Sequence, residues 1–461
     1  MQLSIYHLLG IGLVVVLMCI IGIFSGKNTK NAKDFNTGNS GLTTAVIVGT
    51  ITGTLVGGAS TIATTQLAFE YGYSALWFNL GSGLGCLCLG LFFIDKLRKN
   101  DTLTIQEMLE KRYGTKVRII SALFSSLGIF LSIIAQLFSA ITILVTVFPI
   151  SITTAGIIAC LVMGSYVVFG GIKGTGIIGV IKLFLLYCAL IFMVYTALSS
   201  IDNFKNFAAY FPQEKYFNVF ARGMWKDISG GLSLMLGVIC TQTYVQVVIA
   251  GKDKKAAFQG TILSAVLIPP ISLAGIVVGM FMKYHFPEMN SALAFPMFVI
   301  NYIPDFIGGL ILGTLFVVIT GSGAGLVLGI CSIFSNNIYP KIMPNLKESR
   351  KLFMIRATIV AVLILTFSTT LGDGQDLILE WSFMAMGLRA MTVLFPMCSI
   401  LFLSRQIESR YVLASITLSP ILVAAGRGIF NLNIDALYAG LAISFIIMLG
   451  GYIFSKQPSN I

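Results

Sequence analysis

The chain has 461 residues, of which 56% are hydrophobic and only 10% charged, with a net charge of +12. A soluble protein of this length needs roughly 25% charged residues to coat its surfaces, so a soluble multidomain architecture is excluded. The basic excess does not point to nucleic acid, because the lysines and arginines sit in short loops between apolar runs and do not cluster on one polar face.

A helix crosses the hydrocarbon with about 20 apolar residues. On that measure about thirteen spans are expected, at 4–24, 42–71, 73–95, 118–147, 151–170, 175–199, 228–250, 256–282, 306–335, 351–371, 376–403, 411–430 and 434–455. The first is long enough to span and has no basic region before it, so it is expected to be a membrane helix and not a cleaved leader. The second carries Gly57-Gly58 at mid-depth among Thr54, Ser60, Thr61, Thr64 and Thr65. Paired glycines weaken a helix. They mark either unwound backbone lining a cavity, with free carbonyls for a cation, or a groove for close helix packing.

Lys182 lies within the sixth span. An ammonium there marks a pathway or a pair, or it snorkels to the inner surface. Connections 200–227 and 283–305 are the long ones, and the second is expected to form a short helix over the outer mouth. Pro269-Pro270 predicts a kink in the eighth span. In the ninth, the alternating glycines of Thr320-Gly321-Ser322-Gly323 either let another helix come close or mark a second glycine-broken, hydroxyl-bearing stretch, as the repeat logic of secondary transporters would have it. Glu380, Arg389 and Arg427 are further ionisable residues inside spans. Glu380 and Arg389 are too far apart on one helix to pair directly.

Orientation follows from the basic residues. With the amino terminus outside, the inner side receives Lys27, Lys30, Lys33, Lys96, Arg98, Lys99, Lys111, Arg112, Lys116, Arg118, Lys173, Lys252, Lys254, Lys255, Lys341, Lys347, Arg350, Lys351, Arg356, Arg405, Arg410 and Lys456. The outer side receives only Lys205, Lys215, Arg222, Lys226 and Lys283. This strong inward bias predicts a multi-pass inner-membrane protein with its carboxyl terminus in the cytoplasm. All eight cysteines fall in apolar runs and read as small buried hydrophobes. The two histidines, His7 and His285, form no metal cluster, and no nucleophile elbow or P-loop occurs. An enzyme and an ATP-driven pump are therefore not expected.

The chain resembles the sodium:solute symporter family over nearly its whole length. The resemblance rests on Gly57-Gly-Ala-Ser-Thr61 through Tyr71-Gly-Tyr-Ser-Ala75, Glu110-Lys-Arg-Tyr-Gly114, Gln136, Phe169-Gly-Gly-Ile-Lys173, Gln246 followed by Ala250-Gly-Lys-Asp-Lys-Lys-Ala256, Ala292-Leu-Ala-Phe-Pro296 and Asn337-Ile-Tyr339. It implies one all-α transmembrane domain over 1–461. A leading helix (4–24) would precede a LeuT-type core of two inverted five-helix repeats (42–403), and two trailing helices (411–455) would follow. It further implies secondary active transport of a small organic solute by a monomer in the bilayer, with sodium as the transported coupling ion, no cofactor and no nucleic-acid partner.

By the same resemblance, a sodium ion would sit between the carbonyls of Gly58 and Thr61 on the first core helix and Val318 and Ser322 on the eighth. The family usually has two adjacent hydroxyl residues on that eighth helix. Here the first position is Gly321, so Thr320 would have to turn in. The family's Asp and Gln on the fifth core helix stand as Gly179 and Lys182. Its Asp before Ile-Tyr is Asn337, and its Arg after Gln246 is Val247. Thr241 replaces the Asn that holds sugar in sugar-transporting relatives. The solute cavity is expected to be lined by Thr64, Thr65, Gln66, Phe69, Trp77, Asn79, Gln136, Thr241, Gln242, Thr243 and Trp381. An alternative is proton-coupled or facilitative transport, in which the Lys182 amine reaches the carbonyls of Gly58 and Thr61 and replaces the sodium ion. A channel-like or sensory protein on the same scaffold and a polytopic membrane enzyme are the competing classes.

Overall fold

A computed structural model describes residues 4–26, 41–100, 102, 104–343, 348–370, 378–403, 405–428 and 435–455. Lys27, Lys30, Lys33, Lys347 and Lys456, and the side chains of Lys173, Lys341 and Arg427, fall outside the described residues.

The described chain is helical, with a single isolated bridge. Helix α1 is Ile5–Gly26, the expected leading span. The first core helix comes in two halves. Helix α2 (Thr44–Leu55) ends where Val56 turns extended (φ −85°, ψ 107°), and a π turn over Ala59–Ala63 leads into α3 (Thr64–Tyr71). Gly72 then reverses the chain at φ 55°, with Tyr216 O only 2.1 Å from where a Cβ would lie. The second core helix is α4 (Leu76–Cys88), a π turn, and α5 (Ile94–Lys99). Helix α6 (Ile105–Tyr113) is capped by Thr104, whose hydroxyl accepts from Glu107 N. Helix α7 (Thr115–Val147) is the third core helix.

Helix α8 runs from Ile152 to Ser199. A straight helix would hold Met163 and Lys182 about 28 Å apart. Yet a Cβ on Gly323 would meet Met163 Sδ at 2.7 Å, and one on Gly321 would meet Lys182 Nζ at 2.8 Å. The run is therefore not straight between them; Ile178–Ser199 is long and apolar enough to cross a bilayer, and the shorter apolar Ile152–Ser165 takes the place of the other expected span.

The 200–227 connection holds α9 (Phe204–Tyr210) and α10 (Gln213–Tyr216). The sixth core helix is again in two halves, α11 (Met224–Ile239) and α12 (Gln242–Ala250), bent by 42°. Next come α13 (Lys254–Leu267) and α14 (Pro270–His285), separated at the expected Pro269-Pro270 kink. Helix α15 (Ala294–Tyr302) is the short helix expected in the 283–305 connection. The series closes with α16 (Asp305–Ile333), α17 (Tyr339–Ile342), α18 (Glu348–Thr369), α19 (Ile378–Phe402), α20 (Ser409–Gly428) and α21 (Ala436–Phe454).

Among the described residues, seven helical runs are long and apolar enough to cross a bilayer, or eight with the bent pair α11–α12. Shorter apolar helices, including Thr44–Leu55, Ile152–Ser165, Phe353–Thr369 and Ser409–Ala425, take the remaining expected places.

One expectation is corrected. The glycine-rich stretch of α16 does not break; helix continues through Gly321, Gly323, Gly325 and Gly329. Those positions are empty of side chains because neighbours fill them. A Cβ on Gly325 would lie 2.8 Å from Thr54 Oγ1, and one on Gly329 2.7 Å from Thr243 Oγ1. The second break lies instead at Cys240–Thr241. The interrupted helices are thus the first and sixth of the core, the same position in each five-helix repeat. Close backbone approach also docks α1 on α16, where Gly309 meets His7 O, and α2 on α8, where Gly49 and Gly53 meet Gly176 and Gly179.

Candidate functional site

The break in the first core helix is held from two sides, by α7 and α16. Gly58 N–H, which has no partner in its own helix, donates to Gln136 Oε1 on α7 at 2.8 Å. A Cβ on Gly57 would lie 2.8 Å from Ser322 Cβ, and one on Gly58 only 2.1 Å from Ser139 Cβ. Unwinding and tight packing, separate readings at the level of sequence, are here one feature.

Ser322 points into this break. Its hydroxyl lies within donating distance of three carbonyls: Gly53 O (2.9 Å), Val56 O (2.6 Å) and Val318 O (2.9 Å). A hydroxyl has one proton, so the cluster holds an excess of oxygen and favours a cation. Lys182 Nζ supplies one, donating to Gly53 O at 2.9 Å and lying 3.5 Å from Ser322 Oγ. Lys182 is 3% exposed, so it does not snorkel to the inner surface. The gap among Gly53, Val56, Gly179, Lys182 and Val318 is too tight for a water molecule.

The other expected ion ligands are placed differently. The Gly58 carbonyl accepts from Ala63 N within the π turn (2.9 Å), and the Thr61 carbonyl accepts from Thr64 N. Thr61 Oγ1 donates to Gly57 O (2.9 Å). Thr320 does not turn in: its hydroxyl donates to Phe316 O one turn back (2.7 Å). The amine consequently meets Gly53 O, one turn and more before the carbonyls expected from the sequence.

The expected cavity residues divide into groups. Gln136 stands at the break of the first core helix, beside Gly323. Thr241, Gln242 and Thr243 stand at the break of the sixth, all buried. Gln242 accepts from Ile105 N (3.0 Å), and Thr243 Oγ1 is buried without a partner. Thr64 and Thr65 face Gly275 on α14. Asn79 Nδ2 donates to Ser60 O (3.1 Å), tying α4 to the π turn. Gln66 accepts from Ile378 N at the start of α19 (3.3 Å). Phe69 lies under Lys283, whose ammonium is 4.7 Å from its ring centre. Trp77 donates to Val219 O (2.7 Å) beneath the outer loop. Trp381 is not among these groups. It lines a separate cavity of about 520 Å³ between α7, α11 and α19 and the trailing helices, with Phe124, Ser233, Pro420 and Leu437.

Two features stand beyond the expected set. At the end of the bundle that holds the 200–227 connection, Arg222 pairs with buried Asp227 (2.7 Å) and with Glu380 (3.2 Å), while Ser74 donates to Asp227 (2.6 Å). At the opposite end, Arg98 donates to the carbonyls of Val248, Ile249 and Gly251, closing the last turn of α12. Arg98 and Arg222 were legible only as members of their loops, because their partners come from distant segments.

Comparison with known proteins agrees with this architecture. The chain is 24% identical over 400 residues to the human high affinity choline transporter 1, and 23% over 386 residues to its counterpart in Drosophila melanogaster. These alignments take in 77% and 79% of this chain but 66% and 62% of the relatives, so the chain spans slightly less than two thirds of their length. It is 22% identical over 388 residues to the sodium/sialic acid symporter NanT of Aliivibrio fischeri, covering 76% of this chain and 73% of that protein. A solved structure of a Na+-coupled sialic acid symporter superposes with a TM-score of 0.83 at 18% identity, over 99% of this chain and all of the other. The fold is therefore shared. The sequence profile of the sodium:solute symporter family matches residues 35–408, and this multi-pass membrane protein belongs to that family.

Proposed function

We propose that this chain carries a small organic solute through the inner membrane by alternating access, with sodium as the coupling ion. It works as a monomer with its amino terminus outside and its carboxyl terminus in the cytoplasm. The observation that carries this reading is the pair of mid-depth breaks, at Val56–Gly58 and Cys240–Thr241, in equivalent helices of the two repeats. They set backbone groups beside Gln136, Thr241, Gln242 and Thr243, which can bind a solute without a fixed charge of their own. The carbonyls of Gly53, Val56 and Val318 around Ser322 form the cation locus. Purified protein in proteoliposomes tests the reading. Saturable uptake with counterflow, raised by an inward sodium gradient, is the expected outcome. Linear flux without counterflow would overturn it in favour of a channel.

One observation favours a second reading of the coupling step: the Lys182 ammonium already stands at that cation locus, on Gly53 O. A tethered cation needs fewer ligands than a free ion, which suits the glycine at 321. What exchanges with water on each side is then a proton, or nothing, and transport is proton-coupled or facilitative. Uptake indifferent to sodium and abolished in Lys182→Ala is the outcome this reading requires. Sodium-stimulated uptake that persists in Lys182→Ala refutes it.

A further inference from the structure

Arg389 is completely buried and ranks among the largest fully buried side chains of the protein. It lies nine residues from Glu380 at the outer end of α19 and thirteen from Phe402 at the other, about 13 and 20 Å along the helix. That is the middle of α19, a helix long and apolar enough to cross a bilayer. Its guanidinium donates to Thr241 Oγ1 (2.9 Å), Gly128 O (2.8 Å) and Ser132 Oγ, and Met386 Sδ is 3.3 Å away. Every one of these acceptors is neutral. Nε has no partner at all. Among the described residues no carboxylate is within ion-pair distance, and Glu380 on the same helix is engaged with Arg222 and Lys226. A guanidinium keeps its charge inside a protein, and a buried charge without a counter-charge is strongly unfavourable.

The same spot carries a second source of positive potential. Thr241 is the N-cap residue of α12, a nine-residue helix, so the amino end of that helix dipole faces the guanidinium. Thr243 Oγ1, two residues on, is buried and unpartnered. An orphan guanidinium N–H is thus joined through Thr241 to a helix amino terminus that carries an orphan hydroxyl two residues on.

We propose that Arg389 and the amino end of α12 bind a small monovalent anion. The anion is either the carboxylate of the transported solute or free chloride. The inference rests on the transport reading above, of which it names the substrate chemistry. The Thr241 hydroxyl now donates to Gly237 O (2.6 Å) while it accepts from Arg389; on binding, its proton turns from that carbonyl to the anion.

Thermal unfolding of the purified protein in chloride-free HEPES buffer tests this, with added potassium acetate, lactate or chloride and with tetramethylammonium as the cationic control. An anion should raise the wild-type midpoint by about 3 °C at saturation, and tetramethylammonium should not. A shift with acetate or lactate alone assigns the site to the solute's carboxylate, and a shift with chloride assigns it to the free ion. Arg389→Gln should lose the shift while its ligand-free midpoint stays at or above wild type, since the uncompensated charge is gone. A purely structural clamp would instead lower that midpoint and leave the anion dependence in place, which overturns the proposal, as does a wild type that responds to none of the anions. If Arg389→Gln does not fold, Thr241→Val decides: anion dependence weakened at least about fivefold supports the site, and unchanged dependence overturns it. Anion binding without saturable uptake of any solute would leave this site standing and sink only the transport reading.

Discussion

Gly58 shows how much one residue carries. Its N–H ends on Gln136 Oε1, and its missing side chain makes room for Ser139 Cβ at 2.1 Å. Ser139 Cβ is anchored on α7 and cannot swing aside, so Gly58→Ala is expected to cost about 1–3 kcal/mol by overpacking. Thermal unfolding would register it; an unchanged midpoint would mean that α7 yields. Gln136→Leu leaves the Gly58 N–H buried and unpaired, for a loss of about 1–3 kcal/mol. Uptake kinetics should suffer with it, and normal uptake in that variant would separate the break from the solute path. Of these residues, Gly57-Gly58 and Lys182 were legible in the sequence as oddities of type and depth. The contact of Lys182 with Gly53 O was not, because a pattern along the chain gives the depth of a residue but not the rotation of one helix against another. Arg389 likewise stood out as an ionisable residue within a span, whereas its acceptors come from α7 and the α11–α12 break.

At the scale of elements, the first break was legible because paired glycines lower helix stability locally. The second was not, since Gly237-Val-Ile-Cys-Thr-Gln has no glycine pair or proline at the bend. There the interruption is imposed from outside, where Met386 crowds Gly237 and Arg389 holds Thr241. The reverse error on α16 has the same origin: its glycines serve Thr54, Met163, Lys182 and Thr243 as sockets, and its own backbone stays helical. Arg98 completes α12 from α5, replacing the helical partners its last carbonyls lack. Arg98→Met should loosen that end by about 1 kcal/mol, a factor of about five in its opening equilibrium. In a background free of native thiols, a cysteine at Gln246, itself buried, should then react correspondingly faster with an impermeant maleimide applied to the inner face. Equal rates would mean that the clamp does not govern access.

For the whole molecule, Lys215 and Lys283 gather at the end that holds Phe69 and Tyr71, while Lys96, Arg98 and Lys254 gather at the other. A cysteine at Lys215 should label only from outside the cell and one at Lys254 only from the cytoplasm; the reversed pattern would invert the proposed orientation. At the Lys254 end, Gly41 N and Leu42 N donate to Ala250 O, and Lys252 N donates to Leu42 O, forming the bridge between Leu42 and Gly251. The segments so joined are the near ends of α2 and α12, half-helices from opposite repeats. Stitched backbone to backbone, they turn as one lever, and a rocking motion cannot draw them apart without tearing the stitch. On the transport reading and orientation proposed above, a solute released at this end therefore leaves along the flank of the joined pair and not between the two half-helices.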